Sequence, residues 1–318
     1  MSPTKKIITI FGATGSQGGS VANIFLHDTK LDAEWTVRAV TRDIQKEKAK
    51  TLAANGAEVV SADLNDKSSL LAAIKGSTAV FAVTNYWEKL DKSLEVQQGK
   101  NLVDAAKEAG VEHFIWSSLL DINKLSGGKL PHVYHFDGKA EVEEYARSVG
   151  LPSTFFLAGC YMSNFPGQNF RFDKDNNKWT YSLPVPGTAI IPVFDVDDTG
   201  KFVKAAILHK DQTLGKRLLG ATKYMTANEL VERFKKAFPE AGKTASYQQL
   251  PEEVYKNILK GAGMPEFVAQ ELLENMLLLD SFGYYGKESL DWTHSLLEDK
   301  LTTWDEFVKK TPLWKDLK

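Results

Sequence analysis

The chain has 318 residues, 43% of them hydrophobic and 25% charged, with 39 Lys plus Arg against 41 Asp plus Glu. These proportions are those of an ordinary globular protein, which excludes disordered, collagen-like and disulfide-scaffold classes, and a formal net charge of -2 leaves no global basic field for direct nucleic-acid binding. A single cysteine, Cys160, rules out an internal disulfide and a cysteine zinc cluster, the six histidines show no metal-type spacing, and a reducing compartment is expected.

The opening MSPTKKIITIFGATG places only five apolar residues between its lysines and a Gly turn, so it reads as a first strand and not as a signal peptide. Strands are expected at Ile7 to Phe11, Trp35 to Val40, Ala57 to Ala62, Thr78 to Thr84, His113 to Ser117 and Ser153 to Ala158. Most are β-branched or aromatic runs, as in a parallel sheet buried on both faces. Between them, helix-period segments carry Val21, Ile24 and Phe25, then Leu70, Leu71 and Ile74 behind the cap Asp66. Further on come Leu94, Leu102, Val103 and Ala106 before Gly110, and Val142, Tyr145 and Ala146 before Gly150. Strand and helix alternating in this way predict an α/β fold built on a doubly wound parallel sheet, the Rossmann arrangement.

Ser148 to Phe170 carries no charge and is long enough to raise a membrane span, but Gly150, Pro152, Gly159, Asn164, Pro166 and Gly167 break it, so no membrane association is expected. Asp173 to Trp179 reads as a polar hairpin tip. Ala189 to Phe194, Asp197 to Leu208 and Arg217 to Leu219 read as a strand, a helix and a strand returning to the main sheet. Beyond Thr222 the chain turns helical, opened by a capping box of Thr226 and Glu229, and Glu266 to Leu279 is a strongly apolar helix. Residues 1–158, with 188–222 returning to them, are thus expected to form a dinucleotide-binding domain, and 159–187 with 223–318 a smaller, mostly helical C-terminal domain.

Gly12, Ala13, Thr14, Gly15, Ser16, Gln17 and Gly18 follow the first strand and open the first helix. Glycines let the backbone approach a pyrophosphate, and the helix N-terminus supplies free N–H groups and a positive dipole end. The spacing is GxxGxxG, not GxGxxG. NAD enzymes place Asp or Glu at the end of the second strand for the ribose 2′-hydroxyl. Here that strand ends in Val40, Thr41 and Arg42, with Lys46 four residues on, so the pair is expected to grip a 2′-phosphate and select NADP(H). Asp63 and Leu64 end the third strand and Thr84, Asn85 and Tyr86 the fourth, on the same edge; Asp63 could accept from the adenine amino group.

Reduction of a carbonyl needs a proton donor. Short-chain dehydrogenases use the tyrosine of YxxxK. The matching stretch here is His135, Phe136, Asp137, Gly138, Lys139, which keeps the lysine and lacks the tyrosine. Tyr134 lies about 100° away around the helix. Ser117 and Ser118 lie where the catalytic serine would stand. No residue is assigned a catalytic role and none a metal.

GATGSQGGSV, VRAVTRD, GAEVVSADLND, VFAVTNYWE, EVQQGK, HFDGKAEVEEY and GCYMSN together resemble the NmrA-like family, a branch of the atypical short-chain dehydrogenase/reductase superfamily. The resemblance covers most of the chain and weakens past about Thr222. It implies a Rossmann domain with a smaller C-terminal domain, and a redox sensor that acts on proteins more than it turns over substrate. It places Gly12 to Gln17 at the pyrophosphate, Arg42 and Lys46 at the 2′-phosphate, Asp63 and Leu64 at adenine, and Thr84 to Tyr86 at the middle of the cofactor. Lys139 would meet the nicotinamide ribose, and Tyr161 to Asn164, with Tyr161 and Asn164 themselves, the nicotinamide end. It further implies a protein partner, either a transcription factor or a metabolic enzyme, a cytoplasmic or nuclear location, and a homodimer among the allowed assemblies. The alternative expectation is an NADPH-dependent reductase of quinones, carbonyls or enones using Lys139 or His135 as its relay.

Overall fold

A computed structural model describes residues 4–167 and 169–318; Met1 to Pro3 of the opening segment and Gln168 of the uncharged run lie outside the described residues. The first half alternates strand and helix as the pattern requires: β1 (Lys6–Ile10), α1 (Ser16–His27), α2 (Thr29–Glu34), β2 (Trp35–Thr41), α3 (Glu47–Ala54), β3 (Glu58–Ser61) and α4 (Lys67–Ile74). It continues with β4 (Ala79–Ala82), α5 (Lys92–Glu108), β5 (His113–Ser118), the short α6 (Ile122–Leu125), α7 (Tyr134–Ser148) and β6 (Ser153–Ala158). The second half holds β7 (Cys160–Tyr161), β8 (Phe170–Asp173), β9 (Lys178–Leu183), β10 (Ile190–Phe194), α8 (Thr199–Leu208), α9 (Lys210–Thr213) and β11 (Arg217–Gly220). After these come β12 (Lys223–Thr226), α10 (Ala227–Ala237), β13 (Ser246–Gln249), α11 (Glu252–Gly261), α12 (Glu266–Ser281), α13 (Asp291–Ser295) and α14 (Trp304–Lys310).

Seven strands form one parallel sheet in the order β11-β6-β5-β4-β1-β2-β3. The chain starts at β1, winds outward through β2 and β3, and then crosses back to β4, so the direction of winding reverses between β1 and β4. Loops leaving the C-terminal ends of those two strands diverge and open a crevice, where ligands of this architecture bind. Helices cover both faces: Leu70, Leu102, Val103 and Val142 pack one side, and Val21, Phe25, Phe202 and Val203 the other. Burial on both faces explains why β4, β5 and β6 read as continuous runs instead of alternating ones.

Arg217 to Leu219 joins the main sheet beside β6, as expected. Ala189 to Phe194 does not. Strand β10 instead pairs in parallel with β7 and antiparallel with β12, forming a separate three-stranded sheet. The run is as apolar as a main-sheet strand, and only its partners, 29 or more residues distant in sequence, decide which sheet it enters. The chain beyond Thr222 is mainly helical but contributes two strands the pattern did not announce, β12 and β13. Strand β13 is polar SYQQ and extends the β8–β9 hairpin. The hairpin tip lies where expected, with Asn177 in the left-handed region at φ 47°. The capping box of Thr226 and Glu229 is formed in both directions.

Candidate functional site

The crevice at the β1/β4 reversal is a cleft of about 1090 Å³. Of the seventeen residues named from the sequence, sixteen line it; the exception is Ala13, whose side chain is buried in the core beneath the loop. Gly12 stands at φ +67°, and a Cβ there would meet Val83 Cγ1 at 2.8 Å. At Gly18 a Cβ would come within 2.4 Å of the Gly12 carbonyl oxygen, so α1 can start this close to the loop only without a side chain. The N-cap residue of α1 is Gly15, no side chain caps the helix, and its first turn holds no acid. The first-turn N–H groups and the dipole end are therefore left to an anion.

Arg42 leaves the end of β2, and Lys46, the N-cap residue of α3, also lines the cleft. The Arg42 guanidinium grips Glu88 with both terminal nitrogens, at 2.6 and 3.1 Å. The Asp63 side chain accepts from the Asn65 N–H and Nδ2 on one oxygen, an Asx turn that fixes the loop after β3. Leu64 is half-buried there, and its carbonyl accepts from Asn101 Nδ2.

Beyond Thr84 the cleft floor is a buried polar cluster. Lys139 Nζ donates to the Thr84 carbonyl (3.1 Å), to Thr84 Oγ1 (3.0 Å) and to Glu95 Oε1 (2.6 Å). Thr84 Oγ1 in turn donates to the same Glu95 oxygen at 2.7 Å. An ammonium has three N–H donors, so those of Lys139 are all committed within the protein. Glu95 is the partner that sequence reading missed, although it lies in the EVQQGK stretch: an acid on α5 gives no sign of facing a lysine 44 residues away.

A second cluster closes the cleft from the C-terminal side. Helix α7 begins behind Val133, which cannot cap it. Glu271 of α12 supplies the cap, accepting from the His135 N–H at 2.9 Å and pairing with His135 Nδ1 at 2.6 Å. The other Glu271 oxygen accepts from Tyr86 Oη at 2.6 Å. Burial and this carboxylate hold the Tyr86 phenol far above its usual range. One turn later, Glu274 takes the His132 N–H and imidazole in the same way. His135 is therefore a structural partner of α12, and its ring also lies against Trp87, with centroids 4.8 Å apart.

At the far end Ser117 Oγ donates to Gln17 Oε1 (2.8 Å), and Gln17 Nε2 donates to the Tyr161 phenol oxygen (2.6 Å). This chain ties β5, the first turn of α1 and β7 together. Burial raises the Tyr161 phenol, opposed by the Gln17 hydrogen bond. Burial also pushes the neighbouring Cys160 thiol up to about 12, which leaves it unreactive at neutral pH. Asn164 is exposed on the rim. No helix among the described residues is long and apolar enough to cross a membrane.

A family model described as NmrA-like matches residues 4–308. The chain belongs to the NmrA-like family. A curated NmrA-like relative, the oxidoreductase malD of Malbranchea aurantiaca, is 33% identical over 267 residues, covering 79% of this chain and 77% of its own. Among solved structures, NmrA, a negative transcriptional regulator in complex with NADP, superposes with a TM-score of 0.79 at 22% identity, covering 96% of this chain and 95% of its own. That likeness shows the fold. The Citrobacter sp. triphenylmethane reductase complexed with NADP(H) gives 0.73 at 25% identity, over 96% of this chain and 99% of the other. A negative transcriptional regulator and a reductase thus share this fold.

Proposed function

We propose that this NmrA-like chain is an NADP(H)-binding redox sensor of the cytoplasm, acting through a protein partner with little or no dehydrogenase turnover. The pyrophosphate would lie on the first-turn N–H groups of α1, where Gly12 and Gly18 leave it room, and Arg42 with Lys46 would take the 2′-phosphate. Nicotinamide bound at the Tyr161 end would supply hydride chemistry to the site. What carries the sensor reading is the commitment of Lys139: its three donors are held by Thr84 and Glu95, and position 135 offers an imidazole tied to Glu271 in place of a free phenol. Lys139 has no N–H left over for a substrate, and the His135 ring is anchored to α12 through Nδ1. Reduced and oxidised NADP differ only at the nicotinamide, so discrimination between them falls to the residues around Tyr161 and Asn164, next to the segment that leaves the main sheet.

The reductase alternative draws on the Ser117, Gln17, Tyr161 chain, which presents a phenol at that same end, and on the oxidoreductase names of the relatives. Rapid mixing of protein and NADPH with a panel of quinones, aldehydes and enones separates the two. Binding without multiple-turnover oxidation is expected. Sustained oxidation that collapses in Tyr161→Phe would establish the reductase instead.

Cofactor choice gives an independent check. Loss of a charge-assisted contact costs about 1.5–3 kcal/mol, so Arg42→Ala should weaken NADPH by about tenfold or more. NADH should be nearly unaffected. Isothermal titration of both dinucleotides measures this, and equal losses would remove Arg42 from the 2′-phosphate site.

A further inference from the structure

We propose that Glu88 is the protein's own stand-in for the 2′-phosphate, a carboxylate that competes for Arg42 and so sets how strongly the site prefers phosphorylated over unphosphorylated dinucleotides. The inference rests on the NADP(H) reading above. Its geometry is that of an anion already seated: two guanidinium nitrogens meet two oxygens of one carboxylate at 2.6 and 3.1 Å, the same fork that would receive two phosphate oxygens. The pair lines the cleft and is substantially exposed, with 66% of the Arg42 side chain and 38% of the Glu88 side chain accessible. It can therefore open without burying an unpaired charge. The hydrogen bond from Arg42 holds the Glu88 carboxyl below its usual range, so the competitor is ionised at every physiological pH. A phosphate carries about -1.5 to -2 at neutral pH, against -1 for the carboxylate. Lys46, which also lines the cleft and makes no ion pair among the described residues, would add a second positive charge to its side of the contest. The phosphate displaces Glu88; a ribose 2′-hydroxyl has no charge with which to do so.

Displacement reaches beyond Arg42 because Glu88 ends a single 3-10 turn, Tyr86–Glu88, in which each residue holds a different element. Tyr86 is bound to Glu271 of α12, Trp87 lies against His135 of α7, and Glu88 holds the end of β2. A 2′-phosphorylated dinucleotide removes one of the three anchors, whereas an unphosphorylated one leaves all three. The turn thereby presents the phosphorylation state of the cofactor to the two helices that close the cleft.

The test is Glu88→Gln, which keeps the shape of the side chain and deletes its charge. An exposed ion pair of this kind corresponds to roughly a two- to fivefold effect. Titration should therefore show NADPH binding about two- to fivefold tighter in the variant, NADH within twofold of wild type, and a smaller difference between the proteins at high salt. Hydrogen exchange supplies the second readout. In wild type, residues 86–91 should exchange differently with NADPH than with NADH, and in Glu88→Gln that difference should vanish. Weaker NADPH binding in the variant would show that Glu88 positions Arg42 and does not compete for it, and an equal gain for NADH would equally overturn the proposal. Failure of both proteins to bind either dinucleotide would instead overturn the reading of the site itself.

Discussion

Replacing Glu95 by alanine should destabilise the protein by about 3–5 kcal/mol, the cost of leaving one member of a buried ion pair without its partner. Glu95 and Lys139 have side chains only 2% and 11% exposed, so water cannot take the place of the missing carboxylate. The lysine would keep the Thr84 carbonyl and hydroxyl but lose the one ion-pair partner it has among the described residues. A double replacement, Glu95→Leu with Lys139→Met, removes both charges and should recover most of the loss, because the desolvation cost of the pair disappears with it. Urea denaturation of the three proteins decides the matter. A Glu95→Ala midpoint within experimental error of wild type would mean that Lys139 is not held as an ammonium by this contact. The comparison also bears on function, since a lysine recruited by a bound ribose would first have to give up one of these three bonds.

Acidification from pH 6.5 to pH 4 should cost about 3 kcal/mol through one residue, His113 at the start of β5, whose imidazole is pushed from 6.5 down to about 4. Burial is the main cause, with the positive charge of Lys210 adding to it. Thr154 Oγ1 donates to the Thr213 carbonyl at 3.0 Å, so its contact with His113 Nε2 at 2.7 Å must be one it accepts. That places the ring proton on Nε2 and leaves the buried Nδ1 bare, without a hydrogen-bond partner among the described residues. The unfolded chain binds a proton below about 6.5 and the folded chain only below about 4. Stability from this group is therefore complete above pH 6.5, falls as the pH drops through the window, and is fully lost below it. Denaturation of wild type and His113→Gln at pH 7.5 and 4.5 isolates the effect. The gap between the two proteins should narrow or reverse at the lower pH; a constant gap would contradict it.

Much of the fold could be read from local pattern. Six strands of the main sheet declare themselves through runs such as Val80, Phe81 and Ala82, and the alternation of strand and helix gives their parallel, doubly wound arrangement, while their order is set by pairings the pattern does not show. The glycine-rich loop is legible because each glycine answers a local demand: Gly12 a positive φ, Gly18 a contact with the preceding loop. Arg42 is legible by its place at a strand end. The partners that set these groups' state are not. Glu88 meets Arg42 across 46 positions, and Glu271 meets His135 across 136, neither with a periodicity that a sequence could reveal. For the same reason β10 could be recognised as a strand but not assigned to its sheet, since an apolar run fits either until its neighbours are placed. His135 likewise reads as a candidate relay in isolation and as a structural anchor once α12 lies over it.

The cap that Glu271 places on α7 also has a consequence for the order of assembly. The helix carrying His135 and Lys139 begins at residue 134, yet the carboxylate that caps its first turn lies 136 residues beyond His135 and in the same stroke secures Tyr86, 185 residues upstream of it. Closing such wide loops costs chain entropy before any contact compensates for it, and long-range contacts of this kind slow folding. A nascent chain that has emerged as far as β11 can pair all seven strands of its main sheet while the first turn of α7 remains uncapped. The cleft-facing end of that helix is thus among the last parts of the molecule to settle during synthesis, and any shortening of the chain before Glu266 would be felt first at the cleft, far from the cut.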